Sequence, residues 1–158
     1  YRYVRSYETG IYPSPGYFHY SGSCNHCENP KCVRGCPTGT MYVALDGTVQ
    51  HWDEICIGCR HCEDACPYGI PQYIEERKIV GKCDACIDLR QKGQNPACVD
   101  ACLMRCLDFG SLNELEEKYG KGLVRELPFL PSSDQTNPSL RIRPKEWALS
   151  ESYRKKEV

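Results

Sequence analysis

Bulky apolar side chains are scarce in this chain of 158 residues, which has three Phe, two Met and two Trp. Its mean hydropathy is −0.57. No apolar run approaches the roughly 20 residues that a helix needs to span a bilayer, and no signal peptide is visible. We therefore expect one domain or two small ones with a modest apolar core, in which metal binding supplies part of the folding free energy.

The sequence also lacks the motifs of several other functional classes. The sequence has no nucleophile–base pair, no phosphate-binding loop and no basic stripe with interleaved aromatic residues. The formal net charge is −1. We therefore expect neither substrate turnover by this chain alone nor a nucleic acid as its partner.

Cysteine, by contrast, is abundant, and 12 of the 13 cysteines fall into three blocks of four. The first two blocks each end in Cys-Pro and consist of Cys24, Cys27, Cys32 and Cys36, and of Cys56, Cys59, Cys62 and Cys66. The third, looser block consists of Cys83, Cys86, Cys98 and Cys102, with Cys106 left over. A C-x2-C-x2-C-x3-C-P run is typical of bacterial ferredoxins, in which the fourth Cys usually binds the neighbouring cluster. The pattern predicts a carrier of [4Fe–4S] clusters that transfers electrons.

The spacing has a physical reason. Two residues between cysteines form a tight loop that directs successive thiolates at one cubane, while the fourth iron needs a ligand from elsewhere. The three-residue gap carries the last Cys about one helical turn onward, where it can face a second cluster. The following proline suits a change of chain direction, because it fixes φ and lacks an N–H donor.

Zinc and disulfides are the alternatives. A structural zinc site typically has two separated Cys pairs, which the first two blocks do not resemble, whereas the third block could be such a site. Disulfides suit a Cys-rich secreted chain, but an odd number of cysteines and adjacent C-x2-C pairs favour metal.

The predicted fold class is α+β: a ferredoxin-like, pseudo-twofold [4Fe–4S] domain with short hairpins, short helices and irregular extensions. We divide the chain into a Tyr-rich segment (1–22), a two-cluster unit (23–82), the third Cys block with a capping helix (83–127) and an extended tail (128–158). The tail has four prolines and little periodicity, which predicts either disorder or binding to a partner. The N-terminal aromatic residues favour packing over the clusters, with a partner surface as the alternative.

Local signals predict a few elements. The segment 1–5 alternates as a strand does. Segments 41–45 and 48–52 flank Asp46-Gly47, a strong hairpin signal, and segments 70–74 and 78–81 form a similar pair. Ser111 begins a capping box whose helix runs to Tyr119 and is stopped by Gly120. An internal repeat with an offset of about 30 residues matches Cys-Pro-Thr-Gly at 36–39 with Cys-Pro-Tyr-Gly at 66–69.

Across roughly residues 20–120, the chain resembles a known family. The segments that carry the resemblance are Ser-Cys-Asn-His-Cys-Glu-Asn-Pro (23–30), Cys-Pro-Thr-Gly (36–39), Cys-Ile-Gly-Cys-Arg (56–60), Ala-Cys-Pro-Tyr-Gly (65–69), Lys-Cys-Asp-Ala-Cys (82–86) and Leu-Asp-Phe-Gly (107–110). They resemble the iron–sulfur subunits of dimethyl sulfoxide reductase and other molybdopterin oxidoreductases, including polysulfide reductase, formate dehydrogenase and nitrate reductase.

The resemblance implies a four-cluster subunit whose Cys blocks pair crosswise. One cluster would be held by Cys24, Cys27, Cys32 and Cys66, and a second by Cys56, Cys59, Cys62 and Cys36. A third would take three ligands from Cys83, Cys86 and Cys98, and Cys102 would be one ligand of a fourth.

The chain departs from this family in two ways. The family has another C-x2-C-x2-C-x3-C block near its N-terminus that no residue before Cys24 supplies, and Leu103 stands where the family tends to have Pro. We expect an N-terminal truncation to explain the missing block. The alternative is that Cys102 or Cys106 closes a self-contained third site. Otherwise Cys106 is expected to be a buried spare thiol.

Other residues near the cysteines have weaker signals. Four cations, Lys31, Arg34, Arg60 and Lys82, lie beside ligands and could raise cluster potentials, but a solvated surface position is the favoured interpretation for each. His26 and His61 lie within blocks that already have four cysteines. We therefore expect them to form hydrogen bonds or to pack, not to bind metal.

The resemblance implies an electron-transfer subunit, without a catalytic site of its own, between a quinol-reactive membrane anchor and a molybdopterin catalytic subunit. It would be membrane-associated through these partners, without inserting itself, and the extracytoplasmic face is favoured. A free polyferredoxin and a zinc-stabilised interaction module remain the alternatives.

Overall fold

Three small antiparallel sheets and five short helices make up residues 1–156, the part of the chain that this computed structural model describes. The strands are β1 Tyr3–Thr9, β2 Gly16–Gly22, β3 Met41–Val43, β4 Val49–His51, β5 Gln72–Ile74, β6 Ile79–Gly81 and β7 Tyr153–Lys156. The α-helices are α1 Lys31–Arg34, α2 His61–Ala65, α3 Ile87–Gln91, α4 Ala97–Asp100 and α5 Leu112–Tyr119. Short 3-10 helices cover Asp53–Ile55, Ser133–Gln135 and Glu146–Leu149. Among residues 1–156, no helix combines the length and the apolar character needed to cross a bilayer.

Both predicted hairpins are confirmed, with shorter strands than the sequence indicated. β3 pairs antiparallel with β4, and β5 with β6. In the first hairpin, Gly47 has a φ of 80° and its N–H donates to the Ala44 carbonyl at 2.9 Å. The Asp46 carboxylate accepts hydrogen bonds from the Thr48 N–H and hydroxyl at 3.0 and 2.6 Å, which closes the turn.

The same order of elements occurs twice. A short helix carries one cysteine, a Cys-Pro turn follows it, and a hairpin follows the turn: α1 leads to β3–β4 and α2 to β5–β6. Both units contribute to the main core. It contains two residues of the first hairpin, one of the second and one cysteine from each helix: Met41, Val49, Val80, Cys32 and Cys62. The two helices also approach each other, because Gly35 has no side chain and a Cβ there would lie 3.4 Å from the Cβ of Ala65.

The capping box is confirmed. The Ser111 hydroxyl accepts from the Glu114 N–H, and the Glu114 carboxylate accepts from the Ser111 N–H at 3.0 Å. The helix α5 begins at Leu112 and ends at Tyr119, with Gly120 at a φ of 78°. This reciprocal pair satisfies donors that the first helical turn leaves free.

The tail is not disordered, because most of segment 128–156 folds back on its own chain, whereas its binding to a partner stays a prediction. Phe129 packs into an aromatic core with Tyr7, Phe18 and Tyr20, the ring centroids of Phe129 and Tyr7 being 4.3 Å apart. The last strand, β7, pairs with β1, so the two ends of the chain share one sheet. Residues 157 and 158 of the predicted tail lie outside the described residues. Sequence periodicity missed this packing because the contacts join segments far apart in the chain.

Candidate metal centre

Three cysteines of the first block, Cys24, Cys27 and Cys32, lie near Cys66 of the second block, and we call this group the first site. Cys27 forms a small buried cluster with Tyr68 and Ile70, and both Cys24 and Cys66 pack against this cluster. The pKa of the Cys32 thiol is raised to about 12, first by burial and then by the neighbouring charges of Cys24 and Cys66. Burial likewise raises the pKa of Cys24 to about 11, which the positive charge of Lys82 partly offsets. These thiols are thus clustered in a poorly solvated place.

The second site has the reciprocal arrangement, with three cysteines of the second block and one of the first: Cys56, Cys59, Cys62 and Cys36. All four line one cavity, whose wall also includes Met41 and Val80. Burial raises the pKa of Cys62 to about 11, and the adjacent Cys36 and Cys56 act in the same direction. The second site therefore also gathers four thiols around one space with apolar walls.

The same turn follows the last cysteine of each of the first two blocks. After Cys36 and after Cys66 the N–H of the glycine three residues on donates back to the cysteine carbonyl, at 3.4 Å from Gly39 and 3.0 Å from Gly69. Both glycines have a positive φ, of 69° and 62°, which other residues rarely adopt. Each turn therefore leads the chain from a short cysteine-bearing helix into the hairpin that follows it.

Cys36 has a different electrostatic environment from the buried thiols. Burial alone would raise its pKa, but hydrogen bonds from the backbone N–H groups of Met41, Thr38 and Thr40, and from the Thr38 hydroxyl, outweigh it and hold the pKa at about 7. The Thr38 hydroxyl lies 3.6 Å from Cys36 Sγ. Donors directed at sulfur favour the thiolate, which is the form that binds iron.

Two buried polar side chains lie beside the first site. His26 forms hydrogen bonds, as predicted: its Nδ1 accepts from the Val49 N–H at 3.0 Å, and its Nε2 lies 4.0 Å from Cys83 Sγ. Burial lowers the pKa of His26 to about 4, and the charges of Lys82 and Arg90 lower it further, so the ring is neutral at pH 7. The surface interpretation is wrong for Lys82, which is 5% exposed.

The other three cations that lie near cysteines in the sequence agree better with a solvated surface position. Arg34 is exposed, and the half-exposed Arg60 forms an ion pair with Glu63 at 2.8 Å. Lys31 reaches the Gln135 side chain at 3.0 Å. His61, the other predicted non-ligand, is exposed at the start of α2.

The cysteines of the third block lie on separate segments. Cys83 Sγ accepts from the Ala85 N–H at 3.4 Å and faces His26. Cys86 precedes α3 in a left-handed conformation with a φ of 50°, and Cys98 lies on α4. Cys102 and Cys106 are adjacent, with their sulfurs 3.6 Å apart. The prediction that Cys106 is buried was wrong, because it is exposed on an irregular segment after α4.

The described residues preform no site for a single metal ion. Within residues 1–156, no three side chains of Cys, His, Asp or Glu converge closely enough to hold one. A zinc site requires four ligands at about 2.0 to 2.3 Å from one point, whereas around a cubane each thiolate binds its own iron. The [4Fe–4S] clusters of the first two blocks remain a prediction that rests on the spacing of their cysteines.

Sequence reasoning missed the part of the tail that covers the first site. The N–H groups of Glu28 and Asn29 donate to the carbonyls of Asn137 and Thr136, both at 2.9 Å, and the Ser139 N–H donates to the Asn25 carbonyl at 3.0 Å. Thr136, which is 1% exposed, also bonds to Cys27 and to the Tyr68 hydroxyl. No local signal points to this contact, because an extended segment with Pro138 lacks any periodicity.

Two groups of neighbouring thiols on a frame of short helices and small sheets are consistent with an iron–sulfur protein of the ferredoxin type. The family model described as "4Fe-4S dicluster domain" matches residues 16–112. This protein is therefore a member of that family.

Individual proteins that are similar to this chain are more specific than the family model. The chain is 46% identical over 131 residues to the B component of anaerobic dimethyl sulfoxide reductase from Haemophilus influenzae, covering 83% of this chain and 63% of that protein. It is 46% identical over 127 residues to the protein of the same name in Escherichia coli, covering 80% and 61%. With the B component of sulfite dehydrogenase from Allochromatium vinosum it shares 38% identity over 118 residues, covering 70% and 49%. The chain thus spans less than two thirds of the length of these relatives, and the resemblance to the iron–sulfur subunits of this group is confirmed.

Proposed function

We propose that this chain transfers electrons through [4Fe–4S] clusters between a quinol-reactive membrane anchor and a molybdopterin catalytic subunit, in a complex of the anaerobic dimethyl sulfoxide reductase type. The observation that carries the proposal is the crosswise grouping of thiols, with Cys66 beside the first block and Cys36 beside the second. The names of the relatives support it, since each designates one component of a reductase or a dehydrogenase.

In this proposal each site holds one cluster, the first through Cys24, Cys27, Cys32 and Cys66, the second through Cys36, Cys56, Cys59 and Cys62. Bound clusters would supply one-electron redox chemistry. Cys83, Cys86 and Cys98 would hold part of a third, and Cys102 part of a fourth, unless Cys102 or Cys106 closes the third. The repeated order of helix, turn and hairpin supports a pseudo-twofold relation between the two units.

The surrounding residues have two tasks in this function. Tyr68 and Ile70 at the first site, and Met41 and Val80 at the second, are buried and reduce the contact of the neighbouring thiols with water, except at Cys59, which is exposed. Backbone N–H groups directed at sulfur stabilise negative charge, as they do at Cys36. Burial and N–H···S hydrogen bonds are the means by which a protein adjusts a cluster potential.

The partners and the location belong to the same proposal. We expect this chain to reach the membrane through the anchor subunit, with the extracytoplasmic face favoured. Co-expression with a catalytic subunit and an anchor from the same genomic neighbourhood would test this by co-purification. A stable monomeric holo-protein that binds neither subunit would indicate a free polyferredoxin.

The cluster sites are tested by removing one cysteine at a time from anaerobically purified protein and measuring iron, sulfide and electron paramagnetic resonance. Cys66→Ala should remove the cluster signal that Cys24→Ala also removes, and Cys36→Ala the one that Cys56→Ala removes. Cys106→Ala is the matched control, because this thiol is exposed and outside both sites. If Cys66→Ala removes the same signal as Cys56→Ala, or the protein contains zinc in place of iron, the proposal is wrong.

A further inference from the structure

Lys82 is a buried cation without an acidic partner among residues 1–156. Its side chain lies in the interior, only 5% of the residue being exposed. The ammonium donates to the carbonyl oxygen of Val49, and to that of Cys83 at 2.7 Å. Within the described range, no carboxylate oxygen lies within the 4.0 Å of its Nζ that an ion pair requires.

A buried charge with carbonyl partners alone is costly. Carbonyl dipoles satisfy its hydrogen bonds, but an unpaired ion in a protein interior still costs several kcal/mol. Lysine is therefore rarely buried unless an opposite charge compensates for it. No Asp or Glu at ion-pair distance within residues 1–156 supplies the compensating charge for Lys82.

The nearby groups that can be negative are thiolates. Val49, whose carbonyl accepts from Lys82, packs in one buried cluster with Cys32 of the first site. Burial raises the pKa of both Cys24 and Cys32, and the positive charge of Lys82 partly offsets this rise. It also directly precedes Cys83, the first cysteine of the third block. The anions that this lysine faces are thus sulfur ligands.

A short polar network links Lys82 to His26. Val49 joins them, since its carbonyl accepts from Lys82 and its N–H donates to His26 Nδ1 at 3.0 Å. Because Nδ1 accepts, the neutral ring carries its proton on Nε2, which lies 4.0 Å from Cys83 Sγ. The network holds Lys82 between the first site and Cys83 and limits its movement toward solvent.

We propose that Lys82 is the internal counter-charge of a [4Fe–4S] cluster at the first site and raises the reduction potential of that cluster. One-electron reduction adds negative charge at the site, and a fixed cation in a medium of low dielectric constant stabilises the reduced form. This inference rests on the proposed function, because it assumes a cluster bound by Cys24, Cys27, Cys32 and Cys66.

The test is a dithionite titration of anaerobically purified protein, followed by electron paramagnetic resonance, on Lys82→Gln and Lys82→Arg. The first-site signal is identified as the one that Cys66→Ala removes. We expect Lys82→Gln, which keeps a donor for the Val49 carbonyl, to shift the first-site midpoint potential downward and to leave the second-site potential unchanged. Lys82→Arg should stay near the wild-type value.

Arg60→Gln is the matched control. Arg60 is likewise next to a cysteine in the sequence, directly after Cys59 of the second site, but its side chain is 56% exposed and paired with Glu63. Solvent and the carboxylate screen its charge, so its removal should leave the second-site potential where it was.

An unchanged first-site potential in Lys82→Gln would overturn this inference and leave the proposed function intact. So would a Lys82→Gln protein that no longer binds iron at the first site, because Lys82 would then be needed for assembly. Wild-type protein without any iron–sulfur signal would overturn the proposed function and this inference together.

Discussion

The packing of Phe129 decides whether the tail stays over the first site, and truncating this side chain is a direct test. Its ring contacts those of Tyr7, Phe18 and Tyr20, with centroids 4.3, 5.5 and 5.5 Å away. Phe→Ala in a core costs about 3 to 5 kcal/mol. Because Phe129 is only partly buried, we expect Phe129→Ala to cost roughly 2 to 3 kcal/mol of the free energy that holds the tail in place.

Hydrogen exchange with mass spectrometry measures this free energy locally. A loss of about 2 to 3 kcal/mol corresponds to roughly 30- to 140-fold faster exchange, at 1.4 kcal/mol for each factor of ten. The acceleration should appear in peptides that contain Glu28, Asn29 and Ser139, whose N–H groups join the tail to the first block. The β5–β6 hairpin, which does not pair with the tail, serves as the internal reference.

Tyr12→Ala is the control variant, because it also removes an aromatic ring, from a residue that is 93% exposed. It should leave all of these exchange rates unchanged. If Phe129→Ala leaves exchange at Ser139 unchanged, or accelerates the β5–β6 hairpin equally, then the aromatic core does not hold the tail over the first site.

Two further predictions concern the second site. Gly58→Ala should deplete second-site iron while sparing the first site, because Gly58 has a φ of 65° and a Cβ there would lie 2.4 Å from the Lys78 carbonyl oxygen. Gly93→Ala, with a φ of 72°, open space around it and no part in either site, should retain both clusters by iron analysis. In the metal-free chain, alkylation of Cys36 should be half-maximal near its pKa of about 7, and Thr38→Ala should move that midpoint upward. Folding lowers the pKa of Cys36. Cys36 should therefore stabilise the apo fold above about pH 8.5 and lose that contribution as the pH falls through 7. An alkylation midpoint above about pH 8.5 would contradict this prediction.

Local patterns were sufficient where the structure depends on neighbouring residues. The Asp46-Gly47 hairpin and the Ser111 capping box were predicted because each is closed by groups two or three residues apart. The juxtaposition of Cys66 with the first block was expected only through the resemblance to a family, since spacing shows that a fourth ligand is needed but not which one supplies it.

The rest depended on contacts between distant segments. Lys82 looked like a surface cation because nothing in its neighbouring residues indicates burial. Cys106 looked like a buried thiol because free cysteines usually are buried. The tail looked structureless because Phe129 and Thr136 find their partners near the N-terminus, and a pattern of periodicity does not register such pairs.

Residues 136–139, the part of the tail that covers the first site, have a consequence for the synthesis of the protein. Asn137 lies 109 residues after Glu28, its partner across the first site, so it leaves the ribosome much later. The second site has its last thiol at Cys62 and its hairpin wall by Gly81, well before then. We therefore expect the second site to be complete first during synthesis, and the first to stay open until translation has passed Ser139.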